Sequence, residues 1–242
     1  MGNRAVLFDL GNTLVSYYAA ADFAPILRAC LRACVAVLPP GTHVDESEVE
    51  QRALSLNVER DDQAVWPLEE RLKVLFGAAA SDPDTLQGLV KAFLQPIFAT
   101  AAVDPEALGV LATLRARGLR TAIVSNTPWG SSARDWRAEL ARHGLLASVD
   151  AAVFCVDVGF RKPHPAPIER ALSLLGVAAA DAVFVGDDPR WDVVGAQRAG
   201  VRPVLLSKDP PAVLPDGVTV VRDLAQILQC LPHSRSNSAK PL

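Results

Sequence analysis

From Asp104 to Leu231 the chain alternates between short apolar runs and amphipathic stretches, and a glycine follows each of the first four helical stretches. Helices are predicted over 105–117, 133–143, 167–175 and 193–199, stopped at Gly118, Gly144, Gly176 and Gly200. The runs that follow them, Thr121–Val124, Ala151–Val156, Ala182–Val185 and Pro203–Leu206, read as strands. Such alternation implies a parallel sheet with helices on both faces. Val6–Phe8 is a further buried strand, and Val218–Val221 with a helix over 224–231 is expected to add an edge strand.

The stretch from Ser16 to Thr100 has a different texture. Leu27, Leu31, Cys34, Val35 and Leu38 recur at helical spacing, and Asp45–Glu48 has the acidic character of a first helical turn. Segments 67–76 and 83–98 also read as helices, the second opened by Asp82-Pro83. No strand signal interrupts them, so this is an all-helical insertion after the first strand.

Composition excludes several classes. The chain has 242 residues, 50% of them hydrophobic and 21% charged, with a formal net charge of −3. That is enough to bury a sizeable core, and it gives no reason to expect nucleic-acid or membrane binding. Cys30, Cys34, Cys155 and Cys230 form no metal-ligand pattern, and Cys30 and Cys34 read as buried thiols one helical turn apart. Neither a signal peptide nor an apolar run of transmembrane length is seen, so a reducing cytoplasm is expected, with a monomer or homodimer acting on a small molecule. The polar tail 233–242 is expected to be disordered.

The strand ends carry the chemistry. Val6-Leu7-Phe8 runs into Asp9, then Leu10-Gly11-Asn12-Thr13; Ala122-Ile123-Val124 runs into Ser125-Asn126-Thr127; Val183-Phe184-Val185-Gly186 runs into Asp187-Asp188, with Asp192 beyond. Arg161-Lys162-Pro163 lies between the last two. Carboxyl ends of parallel strands are where open α/β sheets bind ligands. Carboxylates crowded at the end of a buried strand are unfavourable unless a cation compensates them.

With these motifs in this order, the chain resembles the haloacid dehalogenase (HAD) superfamily, from Arg4 to about Leu231. The resemblance implies an α/β fold: a doubly wound, Rossmann-like parallel-sheet core with the first strand central and an inserted helical cap of the C1 type. Its boundaries would be 1–15 and 100–232 for the core and 16–99 for a mobile cap. It implies Asp9 as a nucleophile that forms an acyl phosphate. Ser125 would bind a phosphoryl oxygen, and Lys162 would neutralise charge on the phosphoryl group and on Asp9. Asn126 is a second donor to substrate or a turn cap, and Thr13, which supports the loop through its hydroxyl, is expected with Asn126 on the substrate-binding side. The expected Mg²⁺ site is Asp9, Asp187 and the Gly11 carbonyl, with Asp192 close by, orienting waters or Lys162. Asp188 is a helper or a helix cap, and His164 a bystander. Trp129 either lines the pocket mouth or packs between helix and sheet, and Trp66, Arg60 and Arg71 are candidates to face the substrate.

One position departs from the pattern of the family's phosphatases, which place a second Asp where this chain has Gly11. That Asp protonates the leaving group and activates water, and glycine does neither. Asn12, where Gly is usual, can still take the positive φ of the turn. The expected activity is Mg²⁺-dependent hydrolysis of a small phosphorylated metabolite with impaired or atypical acid–base catalysis. Two alternatives stand beside it. One is a non-catalytic metal- or phosphate-binding regulatory protein. The other is a phosphonatase- or dehalogenase-like hydrolase, ranked last: a dehalogenase has no need of the Asp187 metal site, and the cap lysines Lys73 and Lys91 match no Schiff-base context.

Overall fold

The computed structural model describes residues 4–58 and 60–231. The tail expected over 233–242 lies outside the described residues. Strand β1 (Ala5–Phe8) is wholly buried, with neighbours on both edges and a hydrophobic layer on each face. That environment explains its unbroken apolar run, where a half-exposed strand would alternate.

The chain then makes a tight turn. Asn12 takes φ 53°, as its residue type permits, and the amides of Thr13, Leu14 and Val15 all donate to the Leu10 carbonyl. A two-residue strand, β2 (Val15–Ser16), follows. Four helices come next: α1 (Phe23–Ala36), α2 (Glu46–Leu56), α3 (Leu68–Phe76) and α4 (Pro83–Ala99). The side chain of Asp45 caps α2, and Asp82 caps α4, with Pro83 as first helical residue. Helix α1 packs on α4, where the buried Cys34 thiol donates to the Leu89 carbonyl at 3.4 Å. Strand β3 (Ala102–Val103) closes an antiparallel ladder with β2.

Alternation resumes with α5 (Ala107–Ala116), β4 (Arg120–Ser125), α6 (Ala133–Arg142) and β5 (Ala151–Phe154). The run expected as strand to Val156 breaks at Cys155, where a one-turn helix α7 (Cys155–Val158) begins. The amide of Phe154 donates to the Asp157 carboxylate at 2.8 Å, which holds this turn. Then come α8 (Ala166–Leu175), β6 (Ala182–Gly186), α9 (Val194–Arg198), β7 (Arg202–Leu206), β8 (Thr219–Val221) and a short α10 (Ile227–Cys230).

Among the described residues the main sheet has six parallel strands in the order β5-β4-β1-β6-β7-β8. Phe8 is in register with Ile123 on one side and Val185 on the other. Alternate residues of β1 enter opposite layers. Val6 and Phe8 face one that includes α1 and α4, while Ala5 and Leu7 face one built on α8.

A segment of the helical insertion is tied to the core loop before Lys162. The Val65 amide donates to the Gly159 carbonyl and the Arg161 amide to the Gln63 carbonyl, both at 2.9 Å, around an antiparallel bridge of Ala64 with Phe160. This bridge and the Val15–Ser16 ladder are extended pieces that the sequence expectation lacked.

Candidate active site

The registers of β1, β4 and β6 bring Asp9, Ser125 and Asp187 together along the carboxyl-end edge of the strands, at the middle of the sheet. The Asp9 amide continues the ladder, donating to the Val185 carbonyl at 2.8 Å. The chain departs from β1 to β4 on one side and later reaches β6 on the other, so these ends flank a switch point.

Lys162 reaches this edge from the loop before α8. It is 2% exposed, and its ammonium donates to Asp9 Oδ1 at 2.6 Å and to Asp192 Oδ1 at 2.7 Å. Its Nζ also lies 5.0 Å from the ring centroid of Phe184. Burial alone would push the lysine toward neutrality, but the Asp192 and Asp9 carboxylates outweigh it and hold the amine protonated. Burial raises the Asp192 carboxyl against the pull of Lys162.

The second Asp192 oxygen accepts the Asp188 amide at 3.1 Å. Gly186 makes room for this carboxylate, since a Cβ there would collide with it. Asp187 feels Lys162 only through the lysine's charge. Burial, then Asp9 and Asp192, push its carboxyl up to about 7. Asp9, Asp187 and Asp192 each offer an oxygen within 4.8 Å of the others. Three carboxylates so placed fit a hard divalent cation, which would relieve the repulsion that the raised Asp187 registers.

A cavity of about 350 Å³ collects nearly every candidate. Asp9, Gly11, Ser125, Asn126, Lys162, Asp187 and Asp192 line it, and Thr13 does not. Thr13 is buried, and its hydroxyl has no hydrogen-bond partner among the described residues. The turn it was expected to support is closed by backbone bonds to Leu10 instead. Among the described residues the Ser125 hydroxyl makes one contact, donating to the Asn126 carbonyl at 3.3 Å. Asn126 grips Lys162 from both sides, its Oδ1 accepting the Lys162 amide at 2.8 Å and its Nδ2 donating to the Lys162 carbonyl at 3.0 Å. Its side chain therefore acts on the lysine loop. An ideal Cβ on Gly11 meets nothing within 4 Å.

Of the remaining candidates, Asp188 is a cap, accepting the amides of Arg190 and Trp191. His164 stacks on Phe160 and accepts the Ala166 amide. Trp129 is buried against Phe93 of α4, and its indole N–H donates to Asn57 Oδ1 at 2.9 Å. Arg60 pairs with Asp62 at the surface. Tyr17, Tyr18, Arg161 and Trp191 also line the cavity, and none of them stands out in the sequence as a candidate. Their closeness in sequence to Asp9, Lys162 and Asp187 was the available signal.

The family model of haloacid dehalogenase-like hydrolases matches residues 3–200. The chain belongs to that family. It is a hydrolase, phosphatase-like in kind. It is 32% identical over 239 residues to a phosphoglycolate phosphatase of Rhodospirillum rubrum, covering 93% of this chain and 89% of the relative. It is 26% identical to a glyceraldehyde 3-phosphate phosphatase of Methanothermobacter thermautotrophicus, covering 94% and 99%. Among solved structures, a HAD phosphatase from Thermococcus onnurineus superposes with a TM-score of 0.68 at 24% identity, covering 96% of this chain and all of that one. A 2-haloacid dehalogenase from Pseudomonas syringae gives 0.65 at 25% identity, covering 94% and 97%. The likeness extends across the helical insertion. Among the described residues no helix is long and apolar enough to cross a membrane.

Proposed function

We propose that this protein hydrolyses small phosphate monoesters through a phosphorylated Asp9, with Mg²⁺ at the Asp9–Asp187–Asp192 cluster. The observation that carries the reading is the buried Lys162 ammonium shared between Asp9 and Asp192, beside a third carboxylate, that of Asp187. Such a site holds a nucleophile and fixed positive charge where a phosphoryl group would sit. The names of the relatives, phosphatases of phosphoglycolate and glyceraldehyde 3-phosphate, support that substrate class.

In this account a carboxylate oxygen of Asp9 attacks phosphorus, and the bond to the leaving-group oxygen breaks. Lys162 holds Asp9 oriented and offsets charge on the phosphoryl oxygens. Ser125 supplies a hydroxyl donor, and Asn126 fixes the lysine loop. Asp9, Asp187 and the Gly11 carbonyl would hold the metal, which supplies further charge neutralisation when bound. Asp192 anchors Lys162 and adds the third carboxylate of the cluster. Water then attacks the acyl phosphate, releases phosphate and restores Asp9. The helical segment 16–99 serves as a C1-type cap over the cavity.

Gly11 supplies neither a proton for the leaving group nor a base for water. Loss of a general acid–base typically costs about 10²–10⁴ in rate. The reading therefore predicts slow turnover of alkyl phosphates and faster turnover of aryl or acyl phosphates, whose leaving groups depart as anions. A metal- and phosphate-binding protein without turnover is the second reading, and Gly11 is the observation that favours it. A panel of alkyl, aryl and acyl phosphates assayed with and without Mg²⁺ separates the two. Mg²⁺-dependent release from the better leaving groups supports the first, and phosphate binding with no release supports the second.

A further inference from the structure

Besides Asn12, two non-glycine residues among those described take positive φ: Gln63 at 59° and Trp129 at 53°. Non-glycine residues seldom adopt that region, and a bulky one such as tryptophan stays there only when its surroundings impose it. Both residues lie where the helical insertion meets the core. The Gln63 carbonyl accepts the Arg161 amide at 2.9 Å, one residue before Lys162. Trp129 stands three residues after Asn126, and its side chain is seated in the insertion.

The indole of Trp129 is 5% exposed. Its ring lies 5.1 Å from that of Phe93 on α4, and its N–H donates to Asn57 Oδ1 at 2.9 Å. The Arg71 guanidinium covers it at 5.3 Å and is itself held by the Leu56 and Trp66 carbonyls. Arg71 and Trp66 therefore pack around Trp129, and neither lines the catalytic cavity. Gly130, at φ 66°, lets the two backbones meet. A Cβ there would lie 2.5 Å from the Trp66 carbonyl oxygen and 2.8 Å from the Val65 side chain.

From this plug the constraint runs back to the strand end. The Thr127 hydroxyl donates to the Ser131 carbonyl at 2.9 Å and the Gly130 amide to the Thr127 carbonyl at 3.2 Å, so the loop is closed on itself. Asn126, just before it, holds the amide and carbonyl of Lys162. The insertion also grips the lysine loop directly, where Gln63 and Val65 bond to Arg161 and Gly159. Asn57, Gln63, Val65 and Trp129 are all outside the lining of the catalytic cavity. We propose that Trp129 is a positioning residue: seated in the insertion, it sets the β4 loop so that Asn126 meets Lys162. This role rests on the reading of Lys162 as the cation of a phosphoryl site. An indole out of its seat would let the backbone leave the left-handed region, and the bonds between Asn126 and Lys162 would loosen with the loop.

Hydrogen exchange read by NMR tests the coupling in the ligand-free protein. Trp129→Ala is expected to speed exchange at the Arg161 and Lys162 amides by about tenfold or more, while the amides of β6 keep the parent's rates. Asn57→Ala removes only the acceptor of the indole N–H and guards against a folding defect. It should show a smaller rise at the same two amides, and Asn57→Asp, which keeps an acceptor, should show none. On an aryl phosphate with Mg²⁺, Trp129→Ala should lower kcat about tenfold to a hundredfold with KM nearly unchanged. Added to Asn126→Ala it should lower kcat little further, because both act through Lys162.

Unchanged exchange at Arg161 and Lys162 in Trp129→Ala overturns the proposal. So do losses of kcat that multiply in the double variant, and so does a rise in exchange spread equally over β6 in both Trp129→Ala and Asn57→Ala, which marks a residue that only holds the fold together. A parent that turns over no phosphate ester removes the phosphatase reading, while the exchange rates still decide whether Trp129 controls the lysine loop.

Discussion

Asn126 holds Lys162 by the backbone, through hydrogen bonds of 2.8 and 3.0 Å to the same residue's amide and carbonyl. The strand-end amide thus decides where the loop before α8 stops and where the lysine's side chain starts. Asn126→Ala removes both bonds. The expected result is a stability loss of about 1–3 kcal/mol. Turnover should fall on the order of tenfold to a hundredfold through misplacement of the ammonium. Asn126→Asp should be no better, because it lacks the donor. Urea unfolding and kcat on an aryl phosphate check the two effects.

Much of this arrangement was legible in the sequence. β1 announced itself because burial on both faces demands an unbroken apolar run, and the glycines after α5, α6 and α8 marked helix ends. Asp9, Ser125, Asp187 and Lys162 could be read because strand ends and a proline-fixed loop are local signals. The rest depends on which distant pieces meet. The two-residue ladder of Val15–Ser16 with Ala102–Val103 is too short to show alternation. The helix expected from Val193 begins one residue later, after a widened turn over Pro189–Val193 capped by Asp188. The role of Asn126 needed the β4 loop to meet Lys162, and the burial of Trp129 needed the helical segment packed against it.

Removing the lysine's charge should expose how much the carboxylates depend on it. Lys162→Met leaves Asp9 and Asp192 buried without their shared cation. In metal-free buffer this is expected to cost about 3–5 kcal/mol. Mg²⁺ should restore part of the loss by taking over some of the neutralisation. Denaturant midpoints with EDTA and with Mg²⁺ give the comparison, and a Lys162→Met protein as stable as the parent in EDTA would contradict it.

Asp187 makes the metal's effect depend on pH. Its carboxyl titrates near 7 in the folded protein, against an ordinary value of 3.8. Between those values the folded state holds more proton than the unfolded state, so this group's contribution falls as pH rises. Its stabilising effect is present below about pH 4 and is lost through about pH 7. A bound cation requires the ionised form and reverses that trend. The rise in Tm on adding Mg²⁺ should therefore grow from pH 5.5 to pH 8, and Asp187→Asn should flatten the growth. A Tm shift independent of pH in the parent would count against the assignment.

Gly186 is required by Asp192 and not by the turn. An added methyl would displace the Asp192 carboxylate and, through it, Lys162. Gly186→Ala should cost about 1–3 kcal/mol and reduce turnover sharply. The damage should be local, so far-UV circular dichroism should match the parent.

Gly11 limits the chemistry in this account. Open space at its Cβ position leaves room for a carboxylate, so Gly11→Asp should raise alkyl phosphatase activity by about 10² or more. Aryl phosphate turnover should change much less. A parent that already hydrolyses alkyl phosphates at about 10 s⁻¹ would mean that another group serves as acid and base.

The central claim is that Asp9 becomes phosphorylated. Its most direct measurement is intact-protein mass spectrometry after rapid mixing with acetyl phosphate and Mg²⁺, followed by peptide mapping. One added phosphoryl group, labile to hydroxylamine, is expected on the peptide containing Asp9, and none in Asp9→Asn. Mg²⁺-dependent phosphate release that persists in Asp9→Asn, with no adduct on the parent, would contradict it.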